Sequence, residues 1–211
     1  MTRRLVAVLV PRAGADGFPD EPLRAAMVED VYETVAALEL VEPALAVDAD
    51  DPARDELESL IWPGTTVVHL AQPSERASRT WLAIAELIAT GADQVTVVAG
   101  DAPDLPGLLV GKLYRALGSA DVAVLPGSDG GLVGLATHAP LPGWLASGSA
   151  AVDLDHVDAV AHLREAARRR TAVSVGPGWH RVRTPDDLAR LDPGLEGWEI
   201  TRELLGGARG R

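Results

Sequence analysis

The chain has 211 residues, 47% of them hydrophobic and 24% charged, a balance that suits a sizeable buried core and excludes wholesale disorder. Acidic residues outnumber basic ones by 31 to 19, and the resulting formal charge of −12 argues against nonspecific nucleic-acid binding, which depends on a net positive field. Cysteine is absent, which excludes a disulfide framework, thiolate zinc or iron–sulfur ligation and a cysteine nucleophile.

Read in chain order, Leu5 to Val10 (LVAVLV) is a continuous apolar run, the pattern of a strand buried on both faces. Arg3 and Arg4 precede it as in a signal peptide. However, six apolar residues ending at Pro11 are too short for the hydrophobic region of one. No window approaches 18 uninterrupted apolar residues, so the expectation is a cytoplasmic protein without a membrane span. A loop of Pro, Gly and Asp spans Pro11 to Glu21, and Leu23 to Leu38 predicts a helix with Pro22 in its first turn. Ala44 to Val47 and Thr65 to Leu70 read as strands, with an acidic helical connector from Asp51 to Ser59 between them.

Ser74 reads as the N-cap of a helix carrying Trp81, Ile84, Leu87 and Ile88, which Gly91 ends. Gln94 to Ala99 (QVTVVA) is the strongest strand signal, followed by a helix from Pro106 to Leu117 and a strand from Asp121 to Leu125. A Gly-rich turn leads into a strand at Leu132 to Thr137. Beyond it come an amphipathic helix from Asp155 to Arg170, a strand at Ala172 to Val175 and a short helix at Pro185 to Leu191. The last helix is Glu196 to Leu205. Alternating strands and helices predict an α/β three-layer sandwich with a mixed, mostly parallel sheet in one domain over residues 1–205, and a flexible tail at 206–211. Ligands of such sheets sit beyond the carboxyl ends of the strands, which directs attention to the loops at 11–21, 100–106, 126–131 and 176–184.

Several motifs fail on inspection. Gly107 to Lys112 is one residue short of a phosphate loop, lacks the following Ser or Thr, and lies inside a helical pattern. No dinucleotide-binding glycine fingerprint and no G-x-S-x-G nucleophile turn is present, and the five histidines form no metal-ligand pair. Arg168 to Arg170 close a helix, where cations meet the helix dipole favourably. Lys112 is the only lysine, so cationic help at a site must come from arginines; the arginine and alanine excess itself reads as coding bias.

The run Gly100-Asp101-Ala102-Pro103-Asp104-Leu105-Pro106 differs in kind. A buried strand delivers Asp101 to the sheet's carboxyl edge, where a carboxylate can hold a divalent ion that bridges phosphates; Asp104 reads as its partner or as a helix cap. Some 25 residues on, Pro126-Gly127-Ser128-Asp129-Gly130-Gly131 leads straight into another buried strand, and paired glycines suit a close backbone approach to a ligand.

Together, G-D-x-P-D-L-P, a helix, a D-V-A-V-L-P strand and D-G-G-L-x-G-L resemble a bacterial family of glycosyltransferase-A-like proteins of poorly defined function. That family is similar to the nucleotidyltransferases that make molybdenum-cofactor dinucleotides and to 2-phospho-L-lactate guanylyltransferase. Thr184-Pro185-Asp186-Asp187-Leu188 and Thr201-Arg202-Glu203-Leu204-Leu205 continue the resemblance, which spans roughly residues 66–205.

The resemblance implies a glycosyltransferase-A-like, nucleotide-diphospho-sugar transferase-like fold and a nucleotidyl- or glycosyltransferase. Such an enzyme would use a nucleoside triphosphate or nucleotide sugar, a small-molecule acceptor and Mg2+ or Mn2+. It implies Asp101 as the metal carboxylate and as catalytic, Asp129 as catalytic, and Asp129, Gly130 and Gly131 on the acceptor side. The first loop, with Arg12 and Gly14, would cradle the nucleotide. Three segments differ from the family pattern. The first loop carries Arg12 as its only cation, leaving Arg24, Arg76 or Arg79 as further candidates. A D-V-D pair is replaced by Arg181-Val182-Arg183, and two aromatic positions are Leu132 and Val133. Arginines in place of acids suit arginine-assisted phosphate binding, since guanidinium grips phosphate bidentately. They equally suit a degenerate member that only binds a nucleotide or a protein. A generic Rossmann-like binder is a third, weaker reading.

Overall fold

The computed structural model describes residues 2–12, 14, 17–74, 77–147 and 152–208. Seven strands form one sheet: β1 (Arg4–Leu9), β2 (Glu42–Asp48), β3 (Thr66–Leu70), β4 (Gln94–Ala99), β5 (Val122–Pro126), β6 (Leu132–His138) and β7 (Val173–Val175). Their order across the sheet is β3-β2-β1-β4-β6-β5-β7. Every pairing is parallel except those of β6, which runs antiparallel to β4 and β5. The short glycine turn between β5 and β6 explains the exception, because a connection of that length can only reverse the chain.

The apolar runs alternate between two cores. Leu5, Ala7 and Leu9 of β1 face one side with Ala83, Ile84 and Leu87 of α3 (Arg79–Ala89) and with Leu163 of α6 (Ala159–Ala166). Val6 and Val8 face the other side, against Val31 and Val35 of α1 (Glu21–Ala36), Leu57 of α2 (Arg54–Ser59) and Val110 of α4 (Gly107–Ala116). The period of two along a strand thus makes three layers from one sheet. α5 (Gly143–Ser147), which the sequence pattern did not announce, adds Leu145 to the first core. α7 (Glu199–Ala208) lies near α1, beside a third cluster of Leu23, Met27, Val182, Leu191 and Trp198.

Two differences from the sequence expectation bear on function. Helix α3 begins at Arg79 with Ser78, not Ser74, as its cap; Ser78 Oγ accepts the Trp81 N–H at 3.1 Å. Ser74 and Ala77 instead exchange backbone hydrogen bonds. The expected helix from Asp155 shrinks to α6, because the backbone of 154–157 has other partners. Leu154 and Val157 carbonyls accept the N–H groups of Leu132 (2.8 Å) and Gly131 (3.1 Å). Asp155 is therefore in a loop at the sheet's carboxyl edge. At the chain's end, α7 continues through Ala208, three residues past the expected stop.

The first loop is tied down by a buried ion pair. Arg24 grips both oxygens of Asp51 at 2.7 Å and donates to the Pro11 carbonyl at 3.0 Å. These hydrogen bonds hold the Asp51 carboxyl below its usual range. A depressed folded-state value means the stability from this group is present above the unfolded-state value, near 3.9, and is lost as pH falls through the folded one. Urea titrations at descending pH should therefore show an acid loss of stability that is shallower in Asp51→Asn than in the parent; equal slopes would refute the assignment.

Candidate functional site

Three adjoining cavities of about 180, 220 and 290 Å³ line the carboxyl edge of the sheet. The first and second share Arg181 and Arg183; the first and third share Arg12, Arg79 and Asp155. They form one cleft running from the loop after β3, past the ends of β1 and β4, to the glycine turn after β5. Of the site positions read from the sequence, Arg12, Gly14, Asp101, Arg181 and Arg183 line the first cavity and Asp129 and Gly130 the second, while Gly131 stands in the turn between β5 and β6.

At the floor, Asp101 follows β4 directly and is 4% exposed. Gly100 before it leaves no room for a side chain, since a Cβ would lie 2.9 Å from the Leu9 carbonyl oxygen. Arg181 clamps Asp101 from the 176–184 loop: Nε donates to Oδ1 at 2.5 Å and Nη2 to Oδ2 at 2.8 Å. Its Nη1 donates to the carbonyls of Leu132 and Leu154, both at 3.2 Å, and lies 2.8 Å from Asp155 Oδ1. The backbone repeats the link, as the Val182 N–H donates to the Asp101 carbonyl at 2.7 Å. Burial opposes the charge on Arg181, but Asp101 and Asp155 outweigh it and raise its pKa above the ordinary arginine value.

Arg183 stands beside this clamp with weaker partners, the Leu154 carbonyl at 3.5 Å and Asp155 Oδ1 at 3.4 Å. Burial and the neighbouring charge of Arg181 lower its pKa. Burial pushes the Asp155 carboxyl up, but Arg181 and Arg183 prevail and leave it below its usual range. At the other end, buried Asp48 accepts from Arg12 Nε at 2.6 Å and Arg79 Nε at 2.7 Å. Arg79 also donates to the Val10 carbonyl at 2.7 Å.

The glycine turn is shaped by backbone contact. Gly130 and Gly131 have φ of +91° and +72°, and Cβ atoms there would meet Val157 Cγ2 at 2.6 Å and the Leu154 oxygen at 2.5 Å. Asp129 pairs with Arg190, and Asp187 accepts from the N–H groups of Arg183 (3.1 Å) and Thr184 (2.8 Å). Burial raises the Asp187 pKa, but the Thr184 hydroxyl, which donates to it at 2.9 Å, and these N–H groups outweigh burial and leave it below the usual carboxylate range.

Two expectations need correction. Asp104 is neither a metal partner nor a cap of α4. Its buried carboxylate accepts from Trp179 Nε1 (3.1 Å) and the Asp192 N–H (3.2 Å) and lies 3.0 Å from His180 Nε2, holding the 176–192 segment against the sheet. Arg24 is committed to Asp51, away from the cleft, while Arg76 lies outside the described residues. The stretch at Gly107 to Lys112 is helical, within α4, as its sequence pattern implied.

A divalent ion does not fit these residues as they stand. Both oxygens of Asp101 are engaged by one guanidinium, and among the described residues no three His, Asp or Glu side chains converge as a metal site. Sequence reasoning missed Asp48 and Asp155. The first lay in a strand with no motif; the second was hidden in a helical pattern, although its Asp-Leu-Asp setting after a small-residue stretch was a weak sign of a loop.

The fold has many solved relatives at low identity. A candidate nucleotide-diphospho-sugar transferase from Desulfovibrio desulfuricans superposes with a TM-score of 0.65 at 20% identity, covering 96% of this chain and 94% of the other. CMP:2-keto-3-deoxy-manno-octonic acid synthetase, in complex with CTP, gives 0.58 at 16% identity over 90% and 96%. A Mycobacterium tuberculosis protein in complex with manganese gives 0.54 at 18% over 92% and 100%. The chain thus has the α/β fold of nucleotide-diphospho-sugar transferases and related nucleotidyltransferases. No curated protein matches the sequence. The model of a family described as "Uncharacterized protein conserved in bacteria (DUF2064)" matches residues 31–150, which hold Asp101 and the whole glycine turn. With more than half of its length matched, the chain belongs to that bacterial family.

Proposed function

We propose that the protein is a nucleotidyl- or glycosyltransferase, taking a nucleoside triphosphate or nucleotide sugar in the cleft and passing a group to a small-molecule acceptor. The observation that carries this reading is the cleft itself, open along the strand ends with Arg12, Arg79 and Arg183 lining it between the first loop and the glycine turn. The neighbours with this fold include a CTP complex.

In this reading the first loop, with Arg12 and Gly14, faces the nucleotide. Asp129, Gly130 and Gly131 face the acceptor from the second cavity. An acceptor phosphate or hydroxyl oxygen forms the new bond as the bond to the departing phosphate group breaks, and guanidinium groups stabilise the charge that gathers on the phosphate oxygens. Little covalent chemistry is asked of the protein. Asp101 acts through Arg181 as a positioning residue, because both its oxygens are spent on that side chain. A degenerate binding module is not favoured: Arg181 and Arg183 line the cleft instead of turning to solvent, and a second acid, Asp155, stands beside Asp101's partner. None of the helices among the described residues is long and apolar enough to cross a bilayer.

Thermal-shift measurements with GTP, CTP, UTP and UDP-sugars test the reading. One of these is expected to raise the melting temperature by several degrees, as binding to the native state alone must. Arg183→Gln should remove the shift. If no nucleotide or nucleotide sugar stabilises the protein in EDTA, Mg2+ or Mn2+, the transferase reading falls.

A further inference from the structure

The most unusual feature of the cleft is that its deepest acid is closed by an arginine. A divalent cation at this kind of site needs carboxylate oxygens turned outward to it. Asp101 has none: one oxygen meets Arg181 Nε and the other Nη2. Arg181 is itself almost fully used, its Nη1 being within 3.2 Å of the Leu132 and Leu154 carbonyls and of Asp155. It is 9% exposed, and it is held from both sides of the cleft, by the end of β4 and by the loop before α6. A metal ion would have to displace a buried guanidinium and then sit close to Arg183 as well.

The same geometry favours an anion. Arg183 lies two residues from Arg181 and lines both the first and the second cavity, and among the described residues its side chain makes only the long contacts of 3.4 and 3.5 Å already described. Asp155 sits 2.8 Å from Arg181 and only 3.4 Å from Arg183, so Arg183 is the less fully paired of the two like charges, and a phosphate placed against it completes its pairing.

We propose that this cleft binds the phosphate groups of its nucleotide without a divalent cation: Arg181, locked onto Asp101 and Asp155, takes the place a cation would hold between these acids, and Arg183 meets the phosphate. The inference rests on the nucleotide reading above and adds that the site's cation is built into the chain. It accounts for Arg181 and Arg183 standing where the resembling family has acids. The first balances the acids at the floor, while the second faces the ligand.

Two measurements on the full chain test it. In the first, Mn2+ alone is titrated and free Mn2+ is followed by electron paramagnetic resonance. The wild-type protein should bind no Mn2+ that Asp101→Asn abolishes, while Arg181→Gln, which uncovers Asp101 and Asp155, should bind Mn2+ at least tenfold more tightly than wild type. Arg181→Lys, which restores a cation, should return to the wild-type result. Wild-type binding of Mn2+ that disappears in Asp101→Asn overturns the proposal, and this arm needs no Arg181 variant to fold.

In the second measurement, inorganic pyrophosphate binding is followed by calorimetry in EDTA and in Mg2+. Affinities within about threefold of each other, lost at least tenfold in Arg183→Gln, support the proposal. A tenfold weaker affinity in EDTA overturns it. Absence of pyrophosphate binding in both conditions removes the anion site, and with it the transferase reading, whereas the Mn2+ titration judges the exclusion of metal by itself.

Discussion

Arg181→Met should lower the unfolding free energy by about 3–5 kcal/mol, the usual result of removing one partner from a buried ion pair. The cause is the stranded partner. Asp101 is buried at the end of β4, and without Arg181 its carboxylate has lost two charge-assisted hydrogen bonds in a place that water reaches poorly. The double variant Asp101→Leu/Arg181→Met should cost clearly less than the sum of the single changes, since no charge is then left alone. Urea unfolding of the four proteins gives the coupling directly. Additive losses would mean that the two side chains do not act as a pair, and the account of the cleft floor would have to be abandoned.

Gly131→Ala is expected to be nearly as costly and to damage ligand binding in addition. A left-handed conformation costs a side chain about 1–2 kcal/mol, and here the new Cβ would also stand 2.5 Å from the Leu154 carbonyl oxygen. Backbone cannot yield cheaply, so overpacking of about 1–3 kcal/mol adds to the strain. Relief requires the 154–157 loop to move, and that loop carries Asp155 and the carbonyl that Arg181 and Arg183 both use. Gly64 is the control: its φ is +87° but nothing lies within 4 Å, so Gly64→Ala should show the conformational cost alone. A Gly131→Ala variant no less stable than Gly64→Ala, with intact pyrophosphate binding, would show that the turn does not hold the site.

How much of this was legible in the sequence depended on the kind of interaction. The run at β4 was read with the same bounds that the structure has, because a strand buried on both faces is written as a short β-branched, mostly apolar run. The three-layer arrangement followed from alternation of element types, and the importance of the loop after β4 from the rule that parallel strands open their sites at the carboxyl end. Gly130 and Gly131 were legible because a backbone turn with positive φ selects glycine locally.

The helix starting at Ser74 and the long helix from Asp155 were misread for a common reason. Local cap and periodicity signals were present, but the backbone groups found partners elsewhere, in the bridge at Ser74–Ala77 and in the glycine turn. Composition and local pattern determined the elements, the sheet class, the edge along which the cleft lies and two of the loops around it. The tertiary structure alone decided that Arg181 closes Asp101 across 80 residues of chain. It also decided that Asp104 holds a loop, that Asp155 lines the cleft and that Asp48 anchors Arg12 and Arg79 beside it. Charged groups pair by proximity in space, with no period or spacing along the chain to announce it, so only the packed sheet and its loops could choose their partners.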